Sequence, residues 1–286
     1  MVGTCLCPQF DRQRSCCSSM KKIANIRRSP VFWSLLAFTI CVAGFLLVPV
    51  VLSILTGLTN NQFVGLSSGL TLKWVFKVWE SYQDSLWLSL GIALACLAST
   101  LVLGVPAAYV LSRVQGKLAR TIEELLMLPV ALPGLATALA LIVTYGAVGN
   151  FRTHWTFILV GHILFTLPFM VRSVLAVLLS VDMHSLEEGA RSLGATFLQR
   201  FTGIVLPNCR SGIVAGSLMV LTLSIGEFNM TLLLHTPLTQ TLPVGLADAY
   251  ASLRIEVGSA YTIVFFMMIV PLLIALQLAG GRKVSK

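Results

Sequence analysis

Glu188-Gly189-Ala190-Arg191-Ser192-Leu193-Gly194, followed after nine intervening residues by Ile204-Val205-Leu206-Pro207, is the stretch from which the rest of the chain can be placed. It is polar and lies between two long apolar runs. Leu186, Ala190, Leu193, Phe197 and Phe201 recur at steps of four, three, four and four, the spacing of one helical stripe. Glu187 and Arg191 stand four apart in the order that favours a helix pair. Gly194 interrupts the stripe where the backbone bends at little cost. Pro207 removes a backbone donor just ahead of the next apolar run. The spacing predicts a bent amphipathic element over about 183–207, lying at a membrane surface with a face offered to another protein.

The runs on either side are membrane spans. Hydrophobic residues make up 56% of the 286 and charged residues only 11%, and the mean hydropathy is +0.88; soluble domains carry about 25% charged residues. An apolar run of about 20 residues crosses the hydrocarbon core. Six such runs are present: Val31–Leu55, Leu86–Leu111, Leu125–Val148, Phe157–Leu179, Ser211–Leu234 and Gly258–Ala279. Trp33, Trp87, Trp155, Tyr109, Tyr145 and Tyr261 fall near their ends, where amphipathic rings favour the headgroup level. The expected fold is an all-α polytopic membrane protein of six transmembrane helices. Residues 1–30 form an N-terminal extension, 31–55 a first helix and 85–280 a five-helix core. The outer segment between the first two spans is too short for a core of its own, and around Leu72–Trp79 it carries a short amphipathic helix.

Basic residues set the orientation. Arg12, Arg14, Lys21, Lys22, Arg27, Arg28, Arg113, Lys117, Arg120, Arg191, Arg200, Arg210, Arg282, Lys283 and Lys286 fall on one side. The other side holds Lys73, Lys77, Arg152 and Arg254, and Arg172 lies within a span. The positive-inside bias places both termini and the 183–207 loop in the cytoplasm of a bacterial inner membrane. The net charge of +9 then reflects topology and contact with anionic membrane lipid, and calls for no nucleic acid. Residues 1–19 hold Cys5, Cys7, Cys16 and Cys17 at a spacing that matches no zinc or redox pattern. Met20-Lys21-Lys22 reads as a natural beginning, with 1–19 as an extension. The run Val31–Leu55 exceeds the 7–15 residues of a signal-peptide core, so it is expected to stay as a first span.

The spacing E-x-A-x3-G-x9-I-x-L-P resembles the cytoplasmic coupling loop of permease subunits in binding-protein-dependent ABC importers. Glu188, Ala190, Gly194, Ile204, Leu206 and Pro207 match it. Gly189 stands where the family usually has a second Ala, which softens the first turn by roughly 1 kcal/mol of helix propensity. The resemblance covers about residues 85–280, including Leu132-Pro133-Gly134 and Leu167-Pro168-Phe169-Met170-Val171-Arg172. It implies the type I, MetI-like importer fold, with Glu188, Gly189, Ala190, Gly194, Ile204, Leu206 and Pro207 at the docking face for an ATPase. The implied partners are a pair of ATP-binding subunits, a second permease subunit, identical or related, and an extracytoplasmic solute-binding protein.

The chain is not expected to be an enzyme. It has no G-x4-G-K-[ST] loop, no H-E-x-x-H and no G-x-S-x-G. No catalytic residue, metal or cofactor is expected, and ATP is hydrolysed by the partner. His162 reads as a helix-packing histidine bonded to a neighbouring carbonyl. Ionisable groups within spans are the default candidates for the pathway. Arg172 lies about 10 Å deep from the inner end of span four and Glu227 about 24 Å from the inner start of span five, which argues against a direct pair. Gly226-Glu227-Phe228-Asn229 resembles a segment of importers for oxyanions and iron. Glu227, Asn229 and Arg172 are therefore candidates for the pathway or gate, with a structural hydrogen bond as the alternative for Glu227. The run Ala247–Arg254 is similar to permeases for 2-aminoethylphosphonate, which places that solute first, before a polyamine, an oxyanion or ferric iron. Two rivals stand beside this reading. An ion-gradient-driven secondary transporter is disfavoured because no inverted repeat or paired broken helices are visible. A non-transporting membrane scaffold would use the loop only to recruit a partner.

Overall fold

A computed structural model describes residues 30–114 and 116–281. The four N-terminal cysteines, Met20, the six basic residues before the first span, and Arg282, Lys283 and Lys286 lie outside the described residues. Residues up to Leu55 form one compact unit and the chain from Thr56 onward a second; each is described by itself. The first is the greater part of α1, Pro30–Leu58, an apolar helix of 29 residues that at 1.5 Å per residue more than spans a bilayer.

In the second unit, α2 covers Lys73–Arg113. Its front turns are the helix expected around Leu72–Trp79. They are not a separate element but run into span two across a kink at Tyr82 (φ −131°, ψ 18°). Next come α3, Lys117–Ala131, and α4, Gly134–Tyr145. These meet at 98°, so span three is not the single run Leu125–Val148. Pro133 offers no amide hydrogen, and its ring drives Leu132 out of the helical region to φ −84°, ψ 142°. Span four is α5, Trp155–Ser180. The loop that follows holds α6, Met183–Ser192, and α7, Phe197–Arg200, then a π turn over Phe201–Val205 and a last turn over Leu206–Asn208. The chain bends by 69° into α8, Arg210–Gly226, and breaks again at Glu227-Phe228 before α9, Asn229–Leu234. Thus Ser211–Leu234 is also two helices. On the far side α10, Leu242–Ala251, leads into α11, Ile255–Gly281.

Among the described residues there are four apolar helices long enough to cross a membrane, and up to six when each bent pair counts as one span. The expectation of unbroken spans fails twice, and with it the argument that broken helices are absent. Glu123 and Glu124 fall inside the bent third span, so it too carries carboxylates.

Two clusters mark the ends of the bundle. At one, Cys96, Val105, Ala108 and Leu111 of α2 pack on Met170, Val174 and Leu178 of α5, with Met183, Val205 and Cys209 of the loop. At the other, Val78 and Leu86 of α2 meet Leu242 and Ala249 of α10 and Tyr261 of α11. Helices approach most closely where side chains vanish. A Cβ on Gly212 of α8 would stand 2.5 Å from the Ser173 carbonyl oxygen, and one on Gly216 would stand 2.8 Å from Met170 Sδ. This Gly-x3-Gly face lets α8 lie against α5 backbone to backbone.

Candidate coupling surface and transmembrane polar site

The coupling surface is built from short helices with strong caps. Asp182 accepts from the Ser185 amide and hydroxyl at the start of α6, and these bonds hold its carboxyl below the ordinary range. At the other end the Ala195 amide donates to the Ala190 carbonyl and the Gly194 amide to Arg191. That is a Schellman closure, with Gly194 at φ +83°. The bend expected at Gly194 is therefore present, and only glycine takes that conformation without strain. Thr196 and Gln199 form a capping box for α7. Met183 and Glu187 are the buried residues of α6. Glu188 and Gly189 are exposed and Ala190 half-buried. Leu193, at 90% exposure, and Leu186 face outward. The single stripe does not persist past Gly194: Phe197 and Phe201 stack on one another and both lean on Tyr109. Ile204 and Leu206 pack against the core, which ties the far arm of the loop to the bundle, and Pro207 is exposed.

Glu187 was expected to pair with Arg191. It does not. It is turned inward at 4% exposure, where it accepts from Tyr109 Oη at 2.9 Å and from Arg113, with Arg200 Nη1 at 3.8 Å. Arg113 also lies over the Tyr109 ring, and Arg200 Nε is buried without a partner. The readable signal was that Met183, Glu187 and Ala190 recur at steps of four and three, on one helical face. Glu188 is exposed, with His184 3.4 Å away.

The second site lies where the two breaks meet. Glu227 ends α8, and its two carboxylate oxygens accept from the amides of Met230 and Thr231 and from the Thr231 hydroxyl, at 3.0–3.1 Å. It thereby caps α9, satisfying donors that a free helix start leaves unmade. Gly134, the first residue of α4, lies against Asn229, Met230 and Glu227; Asn229 itself is exposed. His162 of α5 is 2.8 Å from Ser224 Oγ and 2.9 Å from Thr231 Oγ1. Its partners are hydroxyls on both halves of the broken span, not a carbonyl. Thr231 has one hydroxyl proton and directs it at Glu227. A neutral His162 therefore donates through Nε2 and accepts from Ser224 at Nδ1. Ser89 and Thr241 border the same narrow space. Arg172 is not near Glu227: its Nε donates to Glu123 Oε1 at 3.1 Å, joining α5 to α3. No group of three or more metal-ligating side chains occurs among the described residues.

The model of the family described as "Binding-protein-dependent transport system inner membrane component" matches residues 100–282, which include both sites. The chain belongs to this family. It is a permease subunit of an ABC importer, a multi-pass protein of the inner membrane. The molybdenum transport system permease protein ModB of Mycobacterium tuberculosis is 30% identical over 74% of this chain and 84% of its own length. The permease protein PhnV of Salmonella paratyphi A, whose name assigns it provisionally to 2-aminoethylphosphonate transport, is 27% identical over 85% of this chain and 92% of its own. A bacterial ABC transporter structure described as importing alginate superposes with a TM-score of 0.74 at 16% identity, over 93% of this chain and all of that one. This likeness is one of fold, and it agrees with the MetI-like expectation for the permease core.

Proposed function

We propose that this permease subunit forms half of a solute pathway and is driven through its 183–207 loop by a separate pair of ATP-binding subunits. A second permease subunit completes the pathway, and an extracytoplasmic binding protein delivers the solute. The loop side and both termini face the cytoplasm. The observation that carries this reading is the shape of the loop. Two capped helices meet at a left-handed glycine, present Leu186, Glu188 and Leu193 outward, and are tied to the bundle by Met183, Glu187, Ile204 and Leu206. A surface so ordered, yet so little covered by its own chain, suits a protein partner. The solute is a small polar one, with 2-aminoethylphosphonate first on the likeness of the run Ala247–Arg254; one relative carries that compound in its name.

The test is to purify the complex and measure uptake of 2-aminoethylphosphonate, molybdate, sulfate and spermidine into proteoliposomes with the binding protein present. Gly194→Val forces a β-branched residue into the left-handed region, at roughly 1–2 kcal/mol, and Glu188→Lys reverses an exposed charge. Both variants should insert normally, retain at most a tenth of the bound ATPase and lose uptake in proportion. Wild-type levels of both would refute the docking role.

A further inference from the structure

We infer that Glu187 is a positioning residue: it locks the coupling helix α6 to the end of α2, so that force applied to the exposed face of α6 moves a membrane span. This rests on the assignment of α6 as the docking helix and adds the route by which its motion enters the membrane.

A helix of 10 residues is marginal without tertiary support, and α6 buries only Met183 and Glu187, one turn apart. Met183 is an apolar peg in the core cluster. An apolar contact resists separation, but it has no preferred direction. Glu187 supplies the direction. Its carboxylate accepts from Tyr109 Oη and Arg113 of α2 and lies beside Arg200 of α7, three groups approaching from two elements. Tyr109 is itself held by Phe197, Phe201 and Arg113. The cluster joins α6, α7 and the last turn of α2 through bonds that are strongest when the acceptor is charged. One carboxylate faces two guanidiniums and the Arg200 Nε–H is unmet, so the site holds no spare acceptor. Removing the Glu187 charge leaves two half-buried guanidiniums without their shared carboxylate, and such clusters fail as units.

The experiment uses the full complex in proteoliposomes, with ATP hydrolysis and uptake measured together. The variants are Glu187→Gln and Tyr109→Phe, the second removing a single hydroxyl. A severed link lets the ATPase stay bound and hydrolyse ATP while uptake falls. The ATP consumed per solute should rise at least tenfold for Glu187→Gln and about threefold for Tyr109→Phe. Spin labels at positions 192 and 110 give a second reading. On ATP binding their separation should stay fixed in the wild type and change in Glu187→Gln. If Glu187 is merely structural, hydrolysis, uptake and bound ATPase fall together at an unchanged ratio, and the inference is overturned. Equal label movement in wild type and variant overturns it too, and this reading stands even for a variant with weakened assembly. A wild-type complex that binds no ATPase would instead refute the docking assignment beneath it.

Discussion

At the scale of single residues, the two carboxylates that matter most are both consumed by caps and clusters and not held free. Glu227 uses both oxygens on the first amides of α9. Glutamine keeps one acceptor and turns its other terminus into a donor, facing amides that are donors already. Glu227→Gln should therefore lower the thermal stability of the detergent-solubilised protein by about 1–3 kcal/mol, and Glu227→Leu by more. Unchanged stability of the Gln variant with abolished uptake would instead assign the charge to solute passage or gating. Asp182 gives a pH dependence. Its carboxyl is held low by the bonds from Ser185. A depressed carboxyl contributes stability above its unfolded value and loses it as the pH falls through its folded value. Hydrogen exchange at the Ser185 amide should thus quicken, relative to the rest of α6, as the pH drops below the usual carboxylate range. Asp182→Asn, which caps without a charge, should flatten that dependence. The exposed motif residues could be read from spacing alone. The partners of Glu187 could not, since Tyr109 and Arg113 lie 78 and 74 positions away along the chain.

At the scale of elements, packing and breaks divide the labour. The approach of α8 to α5 depends on bare backbone at Gly212. A valine there would bring a Cβ to 2.5 Å from a carbonyl oxygen, and backbone has nowhere to yield. Gly212→Val should reduce the folded fraction severely, seen as loss of the monodisperse peak on size-exclusion chromatography, whereas Gly91→Val, with open space around it, should not. The long apolar runs were legible because hydropathy accumulates over about 20 residues. The breaks were hidden for the same reason, since an average over such a window is blind to a turn of 98°. Leu132-Pro133-Gly134 is visible in the sequence, but a proline inside a membrane helix gives a mild kink as readily as a corner, and the corner brings Gly134 against the start of α9.

At the scale of the whole molecule, the two ends of the bundle differ in character. One carries the loop, Arg113 and Arg200; the other carries α10, Lys73 and Lys77. A cysteine at position 191 should be labelled by an impermeant thiol reagent only after the cells are opened, and one at position 248 in intact cells. The opposite pattern would invert the molecule and remove the loop from the side where ATP is found. The family and the helical class were open to view in composition and one motif. The solute was not, because no side chain at the breaks is committed to a single chemistry.

The meeting of the two breaks bears on how the protein is made. Neither α4, with 12 residues, nor α9, with six, can cross a bilayer unaided. Each must be carried into the lipid by the longer helix it follows during synthesis. Glu227 emerges just ahead of the α9 amides it caps, and Gly134 gains its neighbours later than its own span is made. Nascent chains halted near residue 200 should therefore leave segment 134–145 open to lipid cross-linkers, and chains released beyond residue 240 should shield it: the third span is finished by the fifth.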